Sequence, residues 1–202
     1  LETTWHPNMG LESRELAWGV GGSLRLRAIA DLDPALVLIT RPNAPYGFAC
    51  KLAEGASLCR TVDAPVVLDE AYVDFAVDSG LGLLADHPNL ILLRTFSKGF
   101  SLAGLRLGLG FAHPQVAEQL HKVRDSYNLD ALAQAGGEVA LDHIGAFRPN
   151  TQAVVRERER LVSALRERGF GVAPSQANFL FARTPDGDGR GWYEALKARG
   201  IL

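Results

Sequence analysis

The chain has 202 residues, of which 47% are hydrophobic and 22% charged, a composition typical of an ordinary soluble globular protein. Its formal net charge of −2 provides no electrostatic basis for binding nucleic acid or an anionic membrane surface. The sequence has neither an apolar run of roughly 20 residues that could span a bilayer nor a basic start followed by an apolar signal segment, so we expect a cytoplasmic protein.

Short apolar runs predict the β-strands. The runs are continuous rather than alternating, which is typical of strands buried on both faces of a mainly parallel sheet. Helical patterns lie between some of them, and this alternation indicates an α/β architecture. The predicted strands are Ala35–Ile39, Pro65–Leu68, Asn89–Leu93, Leu107–Ala112 and Ala177–Ala182.

Three helices are predicted in the second half of the chain, at His113–Tyr127, Asn150–Arg168 and Trp192–Arg199. The first has a proline at a suitable N-terminal position, and the charged run of the second, Arg156–Arg160, is interpreted as a solvated face. The side chains expected to face the core are Val116, Leu120 and Val123 of the first helix and Val154, Leu161, Val162 and Leu165 of the second.

The pattern of elements changes near residue 148. We therefore predict a large domain over residues 1–148, incomplete at its N-terminus, and part of a smaller α/β C-terminal domain over residues 149–202. The chain opens without a methionine and stops directly after the apolar Gly200-Ile201. We expect it to be a piece of a longer protein.

Cys50 and Cys59 are the only cysteines, and the residues around them show no metal-ligand pattern. We interpret both as reduced residues that pack in the interior.

The first segment with residues suited to catalysis or binding is the apolar run Val66–Leu68, which is followed by Asp69 and Glu70. Ligands of open α/β sheets bind outside the carboxyl ends of the strands, so Asp69 is well placed for a site. The alternative is that Asp69 or Glu70 only caps the following turn.

Two cations follow the next predicted strand. Lys98 lies between Phe96 and Phe100, and an amine in apolar surroundings loses its charge more easily and becomes a nucleophile toward an aldehyde. Arg106 stands alone in the glycine-punctuated run Ser101–Gly108, and its guanidinium fork matches a phosphate or carboxylate. The alternatives are a solvated lysine and an arginine in a structural salt bridge.

The combination of these segments is more specific than any one of them. The chain reads Asp69-Glu70-Ala71-Tyr72 and later Thr95-Phe96-Ser97-Lys98, followed by Leu102 to Gly108. It resembles the fold-type I pyridoxal-phosphate aminotransferases, in particular the histidinol-phosphate branch, which carries D-E-A-Y and T-F-S-K-x-x-x-L-A-G-L-R-L-G. Two further stretches are similar: Val123–Leu129, with Ser126 in place of a usual proline, and Ser175–Phe179, where the small domain begins.

The resemblance implies a pyridoxal-phosphate transferase fold, with a mainly parallel sheet sandwiched by helices, and pyridoxal 5′-phosphate as the cofactor. It implies that Lys98 holds the cofactor as a Schiff base and later moves the substrate proton. By the same resemblance Asp69 pairs with the pyridine nitrogen and Tyr72 bonds the ring oxygen. The residues implied for the cofactor phosphate are Ser97, Arg106 and, as a further hydroxyl, Thr95.

The reaction implied is a two-stage transfer of an amino group from histidinol phosphate to 2-oxoglutarate, in histidine biosynthesis. The implied partners are a small-molecule amino donor and a 2-oxo acid, with a second copy of the chain in a homodimer and neither nucleic acid nor membrane. Two alternatives stay open: a related decarboxylase, such as threonine-phosphate decarboxylase, and a degenerate, non-catalytic family member.

The chain departs from the family in the loop that usually reads N-P-x-N-P-T-G, which is here Arg41–Gly47. Ala44 replaces the asparagine that bonds the cofactor ring oxygen, a loss of about 1.5–3 kcal/mol. Asn43 is the neighbouring substitute, although adjacent residues of an extended chain point to opposite sides. We find no upstream phosphate loop, and the family's substrate-carboxylate arginine lies beyond Leu202.

Overall fold

The computed structural model describes residues 12–201. The helices in this range are α1 (Leu26–Ala30), α2 (Leu52–Thr61), α3 (Pro114–Val123), α4 (Ala131–Asp142), α5 (Ile144–Glu167) and α6 (Gly189–Lys197). The strands are β1 (Val37–Thr40), β2 (Val66–Asp69), β3 (Leu90–Thr95), β4 (Gly108–Ala112), β5 (Gly171–Val172) and β6 (Ala182–Arg183). Short 3-10 helices lie at Val20–Gly22, Val73–Phe75, Gly80–Leu83 and Ala103–Leu105. None of the described helices is both long and apolar enough to cross a membrane.

The main sheet has the strand order β1-β2-β3-β4. The first three strands are parallel, and β4 runs antiparallel to β3. Thr40 pairs with Asp69, which in turn pairs with Leu93, so the carboxyl ends of the parallel strands meet at one edge. The sheet is therefore mainly parallel, as predicted, and this edge is the one at which open α/β sheets bind ligands. Strands β5 and β6 form a separate antiparallel pair.

One face of the main sheet carries the principal core. Val37, Ile39, Val66 and Leu68 pack there against Leu58 of α2, which has no exposed surface. The amphipathic pattern of α2 explains its position, because Gly55, Ala56, Leu58 and Cys59 are its buried residues. Both cysteines are free and buried, which confirms their interpretation as reduced packing residues.

The opposite face of the sheet is less covered. Side chains of a strand alternate between faces, and Leu38 and Leu93 point away from the core with 44% and 37% of their surface exposed. Val67 lies on the same face as Leu38 and is buried, with 8% of its surface exposed. The prediction that the strands are buried on both faces is therefore correct at Val67 and wrong at Leu38 and Leu93.

The predicted strand at Ala177–Ala182 is wrong, because only Ala182 belongs to a strand and residues 176–179 form bends. The Ser175 hydroxyl donates to the Phe179 carbonyl at 2.7 Å and accepts from the Ala177 N–H at 3.1 Å. A serine side chain thus satisfies backbone groups that a strand would have paired, which is how serine competes with regular structure.

The helix predictions need two kinds of correction. Helices α1, α2 and α4 were not predicted. Helix α5 begins at Ile144 and contains Pro149, so the predicted domain division between 148 and 149 falls inside a helix. That division stays a prediction. The set of side chains predicted to face the core is also partly wrong. Val162 is buried as predicted, but four others of the set are exposed: Leu120, Val123, Val154 and Leu161.

Candidate active site

Asp69 ends β2 at the carboxyl edge of the sheet and is partly buried. Its Oδ1 atom accepts a hydrogen bond from the Ala71 N–H at 2.9 Å, so the side chain does cap the following turn. No other hydrogen bond to this carboxylate occurs among residues 12–201. The turn leads into the 3-10 helix Val73–Phe75 and places Tyr72 beside the strand end. Capping and a role in a site are therefore compatible.

Lys98 lies in the loop that joins β3 to β4. This loop is closed by two backbone hydrogen bonds, from Phe96 N to Leu107 O at 3.2 Å and from Leu102 N to Phe96 O at 3.0 Å. The Lys98 side chain is exposed, and its Nζ atom lies 5.5 Å from the ring centroid of Tyr72. Within the described residues Lys98 forms no ion pair. The structure thus joins two of the predicted site residues and leaves the amine available.

Asp74 supports the loop that carries Lys98. Partial burial raises the pKa of the Asp74 carboxyl, an effect that the Arg94 guanidinium and a hydrogen bond from the Gly99 N–H oppose. A side chain at Gly99 would collide with the Asp74 carboxylate, so the close contact explains the glycine after Lys98.

The predicted phosphate ligands Ser97 and Arg106 lie in the same loop, and Thr95 ends β3 at the start of that loop. The Thr95 hydroxyl accepts from the Ser97 N–H at 3.1 Å and is therefore engaged in shaping the loop. The backbone hydrogen bond between Phe96 and Leu107 joins the two ends of the loop; Ser97 directly follows Phe96 and Arg106 directly precedes Leu107. Arg106 adopts a left-handed conformation (φ 51°), is exposed and donates to the Ala103 carbonyl at 3.0 Å. It forms no ion pair within the described range, so a structural salt bridge does not account for it there.

The loop Arg41–Gly47 orients Asn43 and Ala44 differently. Asn43 is buried, and its Nδ2 atom donates to the Thr40 hydroxyl at 2.9 Å, while its Oδ1 atom is buried without a partner among the described residues. Ala44 is exposed. Because Thr40 pairs with Asp69, the Asn43 amide lies one strand away from that carboxylate. A contact between Asn43 and a cofactor stays a prediction.

A comparison with known protein families covers most of the chain. Residues 24–199 match the model of the family described as aminotransferase class I and II. The chain belongs to this family. Its relatives include the histidinol-phosphate aminotransferase of Sinorhizobium fredii, 41% identical over 96% of this chain and 54% of the relative. The histidinol-phosphate aminotransferase of Gluconacetobacter diazotrophicus is 44% identical over 82% of this chain and 48% of the relative. The chain therefore spans about half the length of the curated relatives it matches.

Solved structures agree on the fold of this aminotransferase chain. A crystal structure of histidinol-phosphate aminotransferase from Sinorhizobium meliloti, in complex with pyridoxal-5′-phosphate, has a TM-score of 0.78 and 26% identity over 88% of this chain and 50% of its own. The L-threonine-O-3-phosphate decarboxylase of Porphyromonas gingivalis has a TM-score of 0.72 and 23% identity over 83% of this chain and 53% of its own. At this identity the likeness shows the fold alone. The predicted fold class is confirmed.

One edge of the candidate site is formed by the segment Ser175–Phe179. Gln176 joins two other parts of the site, because its N–H donates to the Gly47 carbonyl at 2.7 Å and its Oε1 accepts from the Val77 N–H at 3.1 Å. Phe179 contacts Tyr72 edge to face, with ring centroids 5.0 Å apart. This segment thus holds the aromatic ring over which Lys98 lies.

Arg158 corrects the interpretation of the charged run on α5. We predicted a solvated face, but only 9% of the Arg158 side chain is exposed. Its Nη1 atom donates to the Ala177 carbonyl at 2.9 Å and to the Phe75 carbonyl at 3.2 Å. Helix α5 is thereby fixed to two segments that flank Tyr72, which the periodicity of charges in the sequence did not indicate.

Sequence reasoning also missed an ionic cluster behind Asp69, in which the buried Arg41 and Glu70 are joined by the more exposed Asp78 and Arg94. A signal was available, because Arg94 directly follows the apolar run Leu90–Leu93 and Glu70 stands between Asp69 and the apolar Ala71 at the end of a second run. A charge in such a position must find a partner when the strand is buried.

Proposed function

We propose that the chain is the cofactor-binding part of an enzyme that transfers the amino group of histidinol phosphate to 2-oxoglutarate, in histidine biosynthesis. The observation that carries the proposal is the position of Lys98, whose ammonium group lies 5.5 Å from the Tyr72 ring at the edge where β2 ends in Asp69. Relatives named histidinol-phosphate aminotransferase, at 41% and 44% identity, support the choice of amino donor.

The residues present fit pyridoxal 5′-phosphate. Lys98 and Arg106 are exposed cations without ion pairs among the described residues, so they are free for an aldehyde and a phosphate. Asp69 has a carboxylate oxygen without a hydrogen bond among the described residues, which would be free for the ring nitrogen. Tyr72, whose ring lies beside Lys98, would bond the ring oxygen. Ser97 would add a neutral donor to the phosphate, beside Arg106.

Bound pyridoxal phosphate supplies an electron-withdrawing ring that stabilises negative charge on the substrate Cα atom. The Asp69 carboxylate keeps a proton on the ring nitrogen, since a nearby negative charge favours the protonated form. The Lys98 amine would accept the substrate proton and return it. The Tyr72 hydroxyl orients the ring, while Arg106 and Ser97 anchor the phosphate. Thr95 shapes the loop that bears Lys98, Ser97 and Arg106, while Asn43 is held in the loop Arg41–Gly47 by its hydrogen bond to the Thr40 hydroxyl.

We propose further that the protein works as a homodimer in the cytoplasm. Exposed apolar side chains are concentrated between α3 and the start of α5, where the exposed fractions reach 97% for Tyr127, 81% for Val123 and 80% for Leu132. Large exposed apolar side chains concentrated in one part of a chain are typical of a surface that binds another protein. A second copy of the chain is the partner that the family resemblance implies.

The decisive experiment is an absorbance spectrum of the complete natural protein after pyridoxal phosphate is added. We expect a visible band that borohydride removes, that Lys98→Ala abolishes and that histidinol phosphate bleaches. Lys197→Ala is the matched control, because Lys197 also lies over a tyrosine ring, 5.8 Å from the centroid of Tyr193. Absence of the band in the parent protein would overturn the proposal and favour a degenerate, non-catalytic family member.

The role of Asp69 is tested in the same assay with Asp69→Asn. If Asp69 holds the ring proton, the rate of amino transfer falls by roughly two orders of magnitude or more, while the visible band persists. An unchanged rate would refute this role of Asp69 without affecting that of Lys98. Release of carbon dioxide from O-phosphothreonine, in place of amino transfer, would instead identify a decarboxylase.

A further inference from the structure

Glu70 follows Asp69 directly, and its side chain has no exposed surface. Successive side chains of an extended strand point to opposite sides, so the Glu70 carboxylate lies behind the site while Asp69 faces it. The two residues share one peptide group. Any force that fixes Glu70 therefore also limits the movement of Asp69.

The Glu70 carboxylate is held from several directions. Its Oε2 atom accepts hydrogen bonds from Arg94 Nη2 at 3.0 Å, from Arg94 Nε at 3.2 Å and from the Ser79 hydroxyl at 3.0 Å. Its Oε1 atom accepts from the Gly80 N–H and lies 3.8 Å from Arg41 Nη1. Both oxygens are thus engaged, and a buried carboxylate with this many donors has a single favourable orientation.

Arg41 links this carboxylate to the first strand. Only 2% of its side chain is exposed, its Nη2 atom pairs with Asp78, and its Nε atom donates to the Cys50 carbonyl at 2.8 Å. Its own N–H donates to the Asp69 carbonyl at 2.7 Å. The arginine that departs from the family loop is therefore part of the support behind the site.

The backbone at the end of β2 is clamped from both sides. The Asp69 carbonyl accepts from Arg41 on the β1 side, and the Glu70 N–H donates to the Leu93 carbonyl at 2.8 Å on the β3 side. Side chains from the same two flanks, Arg41 and Arg94, hold the Glu70 carboxylate. The main chain and the ionic cluster thus hold the same peptide group.

We propose that Glu70 is a positioning residue that sets the orientation of Asp69 toward the cofactor ring, an inference that rests on the proposed function. Glu70 touches neither substrate nor cofactor and acts through the peptide it shares with Asp69. Loss of its charge leaves the Arg41 and Arg94 guanidinium groups without their common partner. The end of β2 then loses its fixed geometry, and small displacements of a catalytic group are enough to slow a reaction.

The test is Glu70→Gln in the complete natural protein, measured at a temperature where circular dichroism shows it folded. We expect kcat to fall by roughly tenfold or more, with little change in KM for the amino donor. The pH midpoint of the visible lysine–cofactor band should rise by about half a unit or more, because a less firmly held ring proton removes positive charge near the linking nitrogen. A purely structural role would lower thermal stability and leave both readings unchanged.

Two further variants complete the test. Glu157→Gln makes the same change on exposed α5, where Glu157 pairs with Arg160 on the surface, and should match the parent protein in every reading. Ser79→Ala removes one hydrogen bond to Glu70 and replaces Glu70→Gln if the latter does not fold; smaller changes in the same direction are expected. The positioning role would be overturned if the folded Glu70 variant had the same kcat and the same pH midpoint of the band as the parent. The same outcome in Ser79→Ala would overturn it where that variant is used. Failure of the parent protein itself to form the band would instead overturn the proposed function.

Discussion

Cys50 shows how burial controls the chemistry of a single side chain. Only 3% of its surface is exposed, and burial raises the pKa of its thiol from 9.0 to about 11, against the lowering effect of the Arg41 guanidinium. A thiolate is the reactive form of cysteine, and a shift of this size leaves roughly a hundredfold less of it at neutral pH. Cys50 is therefore an inert packing residue beside the ionic cluster.

We predict that iodoacetamide at pH 8 modifies Cys50 at least about a hundredfold more slowly in the folded protein than in urea. Because the pKa is higher in the folded state, only the unfolded state releases the proton above pH 9. The free energy of unfolding should therefore fall between pH 9 and pH 11, by up to about 2 kcal/mol, and the fall should be shallower in Cys50→Ala. Mass spectrometry and urea titrations would measure both effects; equal modification rates would contradict the prediction.

At the scale of elements, the contact between the loop Arg41–Gly47 and the segment Ser175–Phe179 closes one side of the site. Gly47 has a φ of +81°, and a Cβ atom there would lie 2.7 Å from the Ser175 Cβ and 3.2 Å from its Cα. Glycine is thus required at this position for two reasons: its backbone is left-handed, and the Ser175 backbone approaches too closely for a side chain. The Gln176–Gly47 hydrogen bond depends on that approach.

We predict that Gly47→Ala destabilises the protein by at least about 2 kcal/mol and weakens binding of pyridoxal phosphate. Gly187→Ala is the matched control, since Gly187 has a similar φ of +78° but nothing within 4 Å of an added Cβ. That variant should lose only about 1 kcal/mol, the cost of the left-handed backbone. Equal losses in urea denaturation would show that the contact with Ser175 adds nothing.

At the scale of the whole molecule, the proposed dimer depends on the exposed apolar side chains between α3 and α5. We predict that Leu132→Asp raises the dissociation constant of the dimer at least about tenfold, because it places a charge in an apolar interface. Leu161→Asp, on an exposed position of α5, is the control and should leave association unchanged. Sedimentation velocity over a range of concentrations distinguishes the two, and a monomeric parent protein would refute the dimer.

The sequence by itself determined the α/β class, four strands of the main sheet and the order of the candidate site residues. These features are local: an apolar run of four to six residues predicts a buried strand, and the polar residue at its end marks the edge of the sheet. The aspartate and the lysine could therefore be named from their positions after such runs, and the arginine as the single cation of the glycine-punctuated run Ser101–Gly108, together with the family they resemble.

Only the tertiary structure decided which groups meet across the chain. Arg41 and Asp78 are 37 residues apart, and Glu70 and Arg94 are 24 apart, so no local pattern could pair them. The same holds for Arg158. The charge pattern predicted a solvated side chain, but its guanidinium donates hydrogen bonds to the Phe75 and Ala177 carbonyls, which are 83 and 19 residues away. The sequence indicates that a charge buried next to apolar residues needs a partner. Which residue becomes that partner depends on how distant segments of the chain pack.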